Sequence, residues 1–133
     1  MKKSPQHFTK GVLGLKAYKT GYFAEFIARM FLRVKGYKIL AKNYKTGVGE
    51  IDIIAKKKNC IAFIEVKYRK TKNDALHAIP VKTQQRICKA AGHYISHNSV
   101  YTQGNDPNFT LRFDFIACAP PYYIKHIPNA WIL

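Results

Sequence analysis

Between Gly49 and Arg69 the chain reads G-E-I-D-I-I-A-K-K-K-N-C-I-A-F-I-E-V-K-Y-R. Glu50, Asp52 and Glu65 are set there among isoleucine, valine and phenylalanine, and Lys67 stands two residues past the last of them. The whole chain has only seven acidic residues against 23 Lys and Arg. Carboxylates in apolar strands are expensive to bury without a partner. Two that face each other repel unless a cation or a proton sits between them. Hard oxygen donors with no His or Cys beside them favour Mg2+ or Mn2+. Such an ion polarises a phosphate and activates a bound water, the usual chemistry of phosphodiester hydrolysis. Lys67 would stand beside it, to steady a phosphate oxygen or orient the water. The competing reading is a solvated sheet face on which acids and lysines pair across strands. The pattern of residues 50–67 alone leaves both open.

These side chains meet only if two strands hold them. Glu50–Ala55 and Cys60–Tyr68 read as strands, with Lys56–Asn59 as the turn. Alternation puts Glu50 and Asp52 on one face of the first, and Glu65 and Lys67 on one face of the second. A two-residue turn at Lys57-Lys58 sets Glu50 opposite Glu65 with Asp52 diagonal to it; an alternative register sets Asp52 opposite Glu65. Directly opposed side chains lie roughly 4.5–5.5 Å apart at Cβ. Either register gathers the three acids and Lys67 on one face, and a slip of one residue on one strand would split them.

The remaining elements frame that hairpin. Thr20 is placed to cap a helix running to about Lys35, with Phe23, Ile27, Met30, Phe31 and Val34 as its expected buried stripe and Gly36 as its stop. Tyr37–Tyr44 reads as a strand and residues 70–79 as a loop. Pro80 opens a second helix, whose Ile87, Ala90, Ala91, Tyr94 and Ile95 form a clean apolar face. Residues 98–108 read as a polar loop. Thr110–Ala119 is a further strand, ended by Pro120-Pro121, and Tyr122–Ile127 a short last one. The expected architecture is a single α/β domain over residues 20–133, a central mixed β-sheet flanked by helices, behind a basic N-terminal extension at 1–19.

A chain of 133 residues suits one domain. Its 47% hydrophobic and 14% aromatic content argue against disorder. A formal charge of +16 attracts polyanions, nucleic acid foremost. Lysine outnumbers arginine 18 to 5, which suits diffuse phosphate contact better than bidentate base reading. Cys60, Cys88 and Cys118 are widely spaced and form no C-x-x-C pair, so reduced thiols in a cytoplasmic protein are expected. No apolar run approaches a membrane span, and no membrane partner is expected.

The segment resembles the core of the PD-(D/E)XK nuclease superfamily, in which an acid precedes a hairpin-linked E-x-K. Asp52 stands as the first acid and Glu65-Val66-Lys67 as the second motif. The chain is more closely similar to one branch, the YraN family of small bacterial proteins related to archaeal Holliday-junction resolvases. The residues carrying that likeness are, in order, Gly21 and Glu25, Gly36-Tyr37, Asn43, G-E-I-D-I-I-A at 49–55, F-I-E-V-K-Y-R at 63–69 and R-F-D at 112–114. E-x-K alone is a weak motif; the combination at this spacing is specific, and it covers about residues 20–118.

The resemblance implies a restriction-endonuclease-like fold. It makes Asp52 and Glu65 metal ligands, Lys67 the catalytic lysine and Glu25 a supplementary acid. The plain alternative for Glu25 is an i,i+4 pair with Arg29. Glu50 is a supporting acid or a strand-surface residue. In the second helix Thr83 falls where the family usually carries lysine, with Lys82 and Gln84 as neighbouring accessory candidates. Arg69 and Lys70, and more distantly Lys56 and Lys57, are candidate phosphate contacts.

Outside that constellation, Asp114 is expected to pair with Arg112 structurally. His93 and His97 are four apart on a helix but have no evident third metal ligand. The expected function is a metal-dependent endonuclease acting on branched or single-strand-containing DNA. The alternative is a non-catalytic nucleic-acid-binding module that keeps the nuclease fold. A homodimer is expected only by analogy with junction resolvases.

Overall fold

The computed structural model describes residues 21–98 and 110–131. Helix α1 covers residues 21–34. Strands β1 (Lys38–Lys45), β2 (Glu50–Lys57) and β3 (Cys60–Tyr68) follow, then helices α2 (Lys72–Ala75) and α3 (Val81–His97), then β4 (Thr110–Ala119) and β5 (Tyr123–Trp131). The N-terminal extension, the capping residue Thr20 and most of the 98–108 loop lie outside the described residues.

The five strands form one sheet in the order β1-β2-β3-β4-β5. β1, β2 and β3 form an antiparallel meander, β3 and β4 are parallel, and β5 returns antiparallel to β4. A parallel pair needs a crossover rather than a hairpin, and the segment holding α2 and α3 supplies it. This is the mixed, helix-flanked α/β architecture expected from the sequence.

Both sheet faces are covered. On one, Ile51, Ile54, Ile61, Phe63 and Phe113 pack with Ile87, Ala90, Ala91 and Tyr94 of α3. On the other, Ile53, Ala55, Ala62, Ile64 and Ile116 pack with Ala28 and Leu32 of α1. Burial on both sides is why β2 and β3 read as nearly continuous apolar runs. The buried positions of α3 are the ones its periodicity predicts, apart from Ile95, which is half-buried.

α1 departs from expectation. Its buried residues are Ala24, Ala28, Leu32 and Arg29, whereas Phe23, Ile27, Met30 and Val34 are exposed and Phe31 is half-buried. Positions 24, 28 and 32 form an i,i+4 row as regular as the larger residues do. Two alanines let the helix axis sit close to a sheet face already filled by isoleucine, and the bulkier row turns away.

Other boundaries shift modestly. Residues 70–79 are not all loop: α2 forms there, its N-terminus capped by the Thr71 hydroxyl, which accepts from the Asp74 N–H at 3.2 Å. β5 runs on to Trp131, whose ring stacks on Phe113 at 5.5 Å. Gly36 ends α1 in the left-handed region at φ 95°, the role glycine serves past a helix. Gly49 is required by space rather than by φ, because a Cβ there would lie 2.2 Å from the Arg86 carbonyl oxygen of α3. Helix and β2 therefore touch backbone to backbone just before the acidic strand begins.

Candidate active site

The β2–β3 ladder runs from Lys57 opposite Cys60 to Ile53 opposite Ile64. The turn is thus Lys58-Asn59, one residue later than Lys57-Lys58. Of the two expected registers, this is the one that carries Asp52 toward Glu65. The ladder stops there. The Asp52 carboxylate takes the Val66 N–H at 2.8 Å, so a side chain replaces the next strand-to-strand bond. Across from it on β1, Asn43 adopts a left-handed φ of 49°, and Asn is among the few residues that tolerate it. The two irregularities open the end of the sheet where the acids stand.

Into this opening α1 brings Glu25. Asp52 lies within hydrogen-bonding reach of both Glu25 and Glu65, and Asn43 reaches Glu25 as well. Burial raises the Glu25 carboxyl to about 7, and the neighbouring Asp52 charge adds to it, while Arg29 one turn on draws it back only partly. Burial also raises Glu65, to about 8, with Asp52, Glu50 and Glu25 all pushing the same way. Asp52 is raised by burial against the opposing pull of the Val66 N–H. Glu50 is exposed, yet its charge is felt by both Asp52 and Glu65. Four of the seven acids in the chain therefore crowd one end of the sheet.

A groove of about 380 Å³ opens over this cluster, lined by Gly21, Tyr22, Glu25, Asn43, Lys45, Glu50, Ile51 and Asp52. A second, of about 470 Å³, is lined by Glu65, Lys67, Arg69, Asp74, His77 and Thr83 among others. Lys67 is buried, and its ammonium donates to the His77 carbonyl oxygen just after α2. Burial and then the Arg69 charge hold that ammonium below the ordinary lysine range. Glu25 and Asp52 thus line one groove, and Glu65 and Lys67 the other.

Among the described residues no three His, Cys, Asp or Glu side chains converge closely enough to form a complete protein cage. Mg2+ does not need one, since it commonly takes one or two carboxylates and keeps waters for the rest. The Asp52–Glu65 pair, oxygen-only and electrostatically crowded, fits that pattern. His93 and His97 do not make a metal centre: their rings stack at 4.1 Å, and His93 Nδ1 meets the Tyr44 hydroxyl at 2.6 Å.

The remaining candidates divide. Arg69 lines the Lys67 groove, its guanidinium donating to the Tyr68 carbonyl, and exposed Lys70 follows it. Lys56 and Lys57 sit at the far end of β2, away from the acids. In α3, Thr83 reaches the groove. Lys82 points to solvent, and the Gln84 amide donates to the Ile79 carbonyl at 2.8 Å. His77 went unremarked in the sequence, because the carbonyl it offers depends on α2 ending where it does.

Comparison with known proteins agrees on the extent of the likeness. Residues 24–118 match the model of the family described as "Uncharacterised protein family UPF0102". A UPF0102 protein of Bradyrhizobium diazoefficiens is 42% identical over 115 residues, 86% of this chain and 83% of that protein. One of Sinorhizobium medicae is 40% identical over 119 residues, 90% of this chain and 93% of its own length. One of Rhodopseudomonas palustris is 36% identical over 129 residues, 97% of this chain and 92% of its own.

Proposed function

We propose that this chain, which belongs to the UPF0102 (YraN) family, is a divalent-metal-dependent nuclease that hydrolyses phosphodiester bonds in branched or single-strand-containing DNA. The observation that carries the reading is the crowding of Glu25, Asp52 and Glu65 at an opened sheet end, beside Lys67, in a chain of charge +16. Carboxylates raised this far are at their most stable when a cation replaces the proton between them. Asp52 and Glu65 would hold Mg2+ or Mn2+, with Glu25 completing the set through water. The ion would supply Lewis-acid activation of the phosphate and of a water.

The chain's own residues do the rest. Lys67 leaves the His77 carbonyl for a phosphate oxygen, so the site trades one charge-assisted hydrogen bond for another. Arg69 and Lys70 flank the scissile strand and hold the backbone. Glu50, at the solvent edge, keeps the local field negative enough to draw the cation in. The test is a cleavage panel on duplex, flap and four-way-junction DNA with Mg2+ or Mn2+. Wild type should cleave, Glu65→Ala and Lys67→Ala should not, and both variants should still bind DNA. Absence of cleavage by wild type on every substrate would overturn the enzyme reading.

One observation favours a second reading. Lys67 already has a partner in the His77 carbonyl, and no three-ligand cage is formed among the described residues. A module that binds nucleic acid without cutting it would bind in a strongly salt-dependent way. Its affinity would not change in Asp52→Ala.

A further inference from the structure

A different part of the molecule concentrates positive charge. At the hairpin end of the sheet, Tyr37, Lys57, Lys58, Asn59, Cys60, Thr110 and Arg112 line a pocket of about 330 Å³. No carboxylate lines it. It lies five residues along β2 from Asp52, about 17 Å at strand rise, and does not include the carboxylate site.

The cations here are arranged rather than scattered. Arg112 is pinned by a fork to Asp114, with Nε and Nη2 each donating at 2.8 Å, and Nη2 also meets the Tyr37 hydroxyl at 2.6 Å. Tyr37 is itself buried, and Lys57 lays its ammonium over the Tyr37 ring at 5.4 Å. Lys58 holds a left-handed φ of 53° in the turn, where glycine or asparagine would sit at less cost. A lysine kept there brings its charge at the expense of local strain. Lys35, at the end of α1, feels both Lys57 and Arg112, and burial together with those charges lowers its ammonium.

Among the described residues, Asp114 offsets Arg112 but does not pair with Lys57 or Lys58. Its oxygens are taken by Arg112, by His126 and by the Asn129 N–H, all directed inward. Lys35 and Arg112 both feel Asp114, whose hydrogen-bonding capacity is already used, and Lys57 and Lys58 add their charge at the pocket wall. A fixed arginine, a lysine stacked on an aromatic ring and a second lysine on a tight turn match a tetrahedral oxyanion, which takes several donors at once.

We propose that this pocket binds a phosphate group. Two sources share that chemistry: the backbone of a nucleic acid, or a small phosphorylated molecule. The site stands independently of any chemistry at the carboxylate cluster.

The experiment is a titration of the full chain, followed by backbone amide NMR, with inorganic phosphate, a nucleoside monophosphate and a short DNA duplex as probes. Phosphate should shift the amides of Tyr37, Lys58, Asn59, Cys60 and Arg112 in a saturable way. Lys57→Gln at the end of β2, combined with Lys58→Gln in the turn that follows, should weaken that binding roughly tenfold. Lys58→Gln alone, which cannot disturb the packing on Tyr37, should weaken it measurably. If the duplex moves the same amides, and the double variant lowers the salt slope of DNA binding by about one to two, the source is the nucleic-acid backbone. If the monophosphate saturates the pocket and the duplex leaves it untouched, the source is a small molecule. If none of these amides moves, or the double variant titrates like wild type, the proposal is wrong.

Discussion

Asp52 and Asp114 are both acids drawn into one apolar sheet, two strands apart, about 10 Å at normal strand spacing. Asp114 pairs across the ladder with Ile64, and Ile64 with Ile53, the residue after Asp52. Their surroundings are opposite. Asp114 is fully buried and receives Arg112 twice, His126 Nε2 at 2.8 Å and the Asn129 N–H at 2.9 Å. Burial works against its charge, but those donors outweigh it and hold the carboxyl below the usual range. Asp52 has one backbone donor and two carboxylate neighbours, and is pushed up. The same fold completes one acid and leaves the other incomplete. An acid that is completed holds a strand in place. One that is left crowded, beside grooves open to solvent, is the one proposed above to take a cation.

The largest expected effect separates the two by stability. Asp114→Asn strands a partly buried guanidinium and should cost about 3–5 kcal/mol. Asp52→Asn and Glu65→Gln relieve repulsion and should leave the urea midpoint unchanged or raised, while removing activity, as acids held for function do. Equal losses in all three variants would erase the distinction between the regions.

Next comes pH, where the two regions carry opposite signs. Glu65 is raised from 4.5 to about 8 and Glu25 from 4.5 to about 7. The folded state therefore binds more protons than the unfolded state between those values, and stability falls as pH rises through that window. Asp114 is lowered from 3.8, so its contribution is present above that value and is lost as pH falls toward the lower folded value. Without divalent ion, the part of thermal stability set by these groups should be greatest between pH 3.8 and 4.5 and decline from there toward pH 8. Mg2+ should reverse the alkaline decline, and chelation should restore it. Glu65→Gln should flatten the decline and leave the acid limb alone. A profile that rises steadily to pH 8 without metal would contradict the crowding.

Gly49→Ala acts on only one of the two regions. The added carbon meets a backbone oxygen of α3, which cannot rotate away, so β2 or the helix must shift. Overpacking of this kind costs about 1–3 kcal/mol. It displaces the strand end that carries Glu50 and Asp52, so cleavage should fall further than the stability loss explains. The Asp114 network should be intact by the chemical shifts of His126 and Asn129. An unshifted site with full activity would mean that the Gly49–Arg86 contact does not set the position of the acids.

Much of this was legible in residues whose constraints are local. Strand alternation put Glu65 and Lys67 together, glycine at 36 marked the end of α1, and the apolar period of α3 named its buried face. The acid at 114 between two phenylalanines, beside Arg112, announced its ion pair. The rest depended on contacts between distant segments. Which row of α1 is buried was decided by how close two alanines allow the helix to approach the sheet. The partner Lys67 finds, the His77 carbonyl, exists only because α2 forms and ends at that point. The Asn129 N–H reaches Asp114 only because β5 runs on past Ile127, and His126 does so through the register in which β5 pairs with β4. Arg112, expected to pair with Asp114, and Lys57, expected in a turn, lie far apart along the chain and become neighbours around one pocket through the β2–β3–β4 register.

The smallest effect tests how the completed acid is completed. His126 is almost wholly buried, with Nε2 at 2.8 Å from Asp114 and Nδ1 at 2.6 Å from the Lys35 ammonium. An ammonium only donates, so Nδ1 accepts and Nε2 carries the proton that it gives to Asp114. A neutral imidazole in one tautomer does both. The pair is then a hydrogen bond to a charged acceptor rather than an ion pair, and Arg112 supplies the countercharge. His126→Gln keeps an N–H donor within reach of Asp114 and should lose only about 1 kcal/mol by urea unfolding, far less than Asp114→Asn. A loss matching that of Asp114→Asn would show that a charged imidazole shares in neutralising the carboxylate.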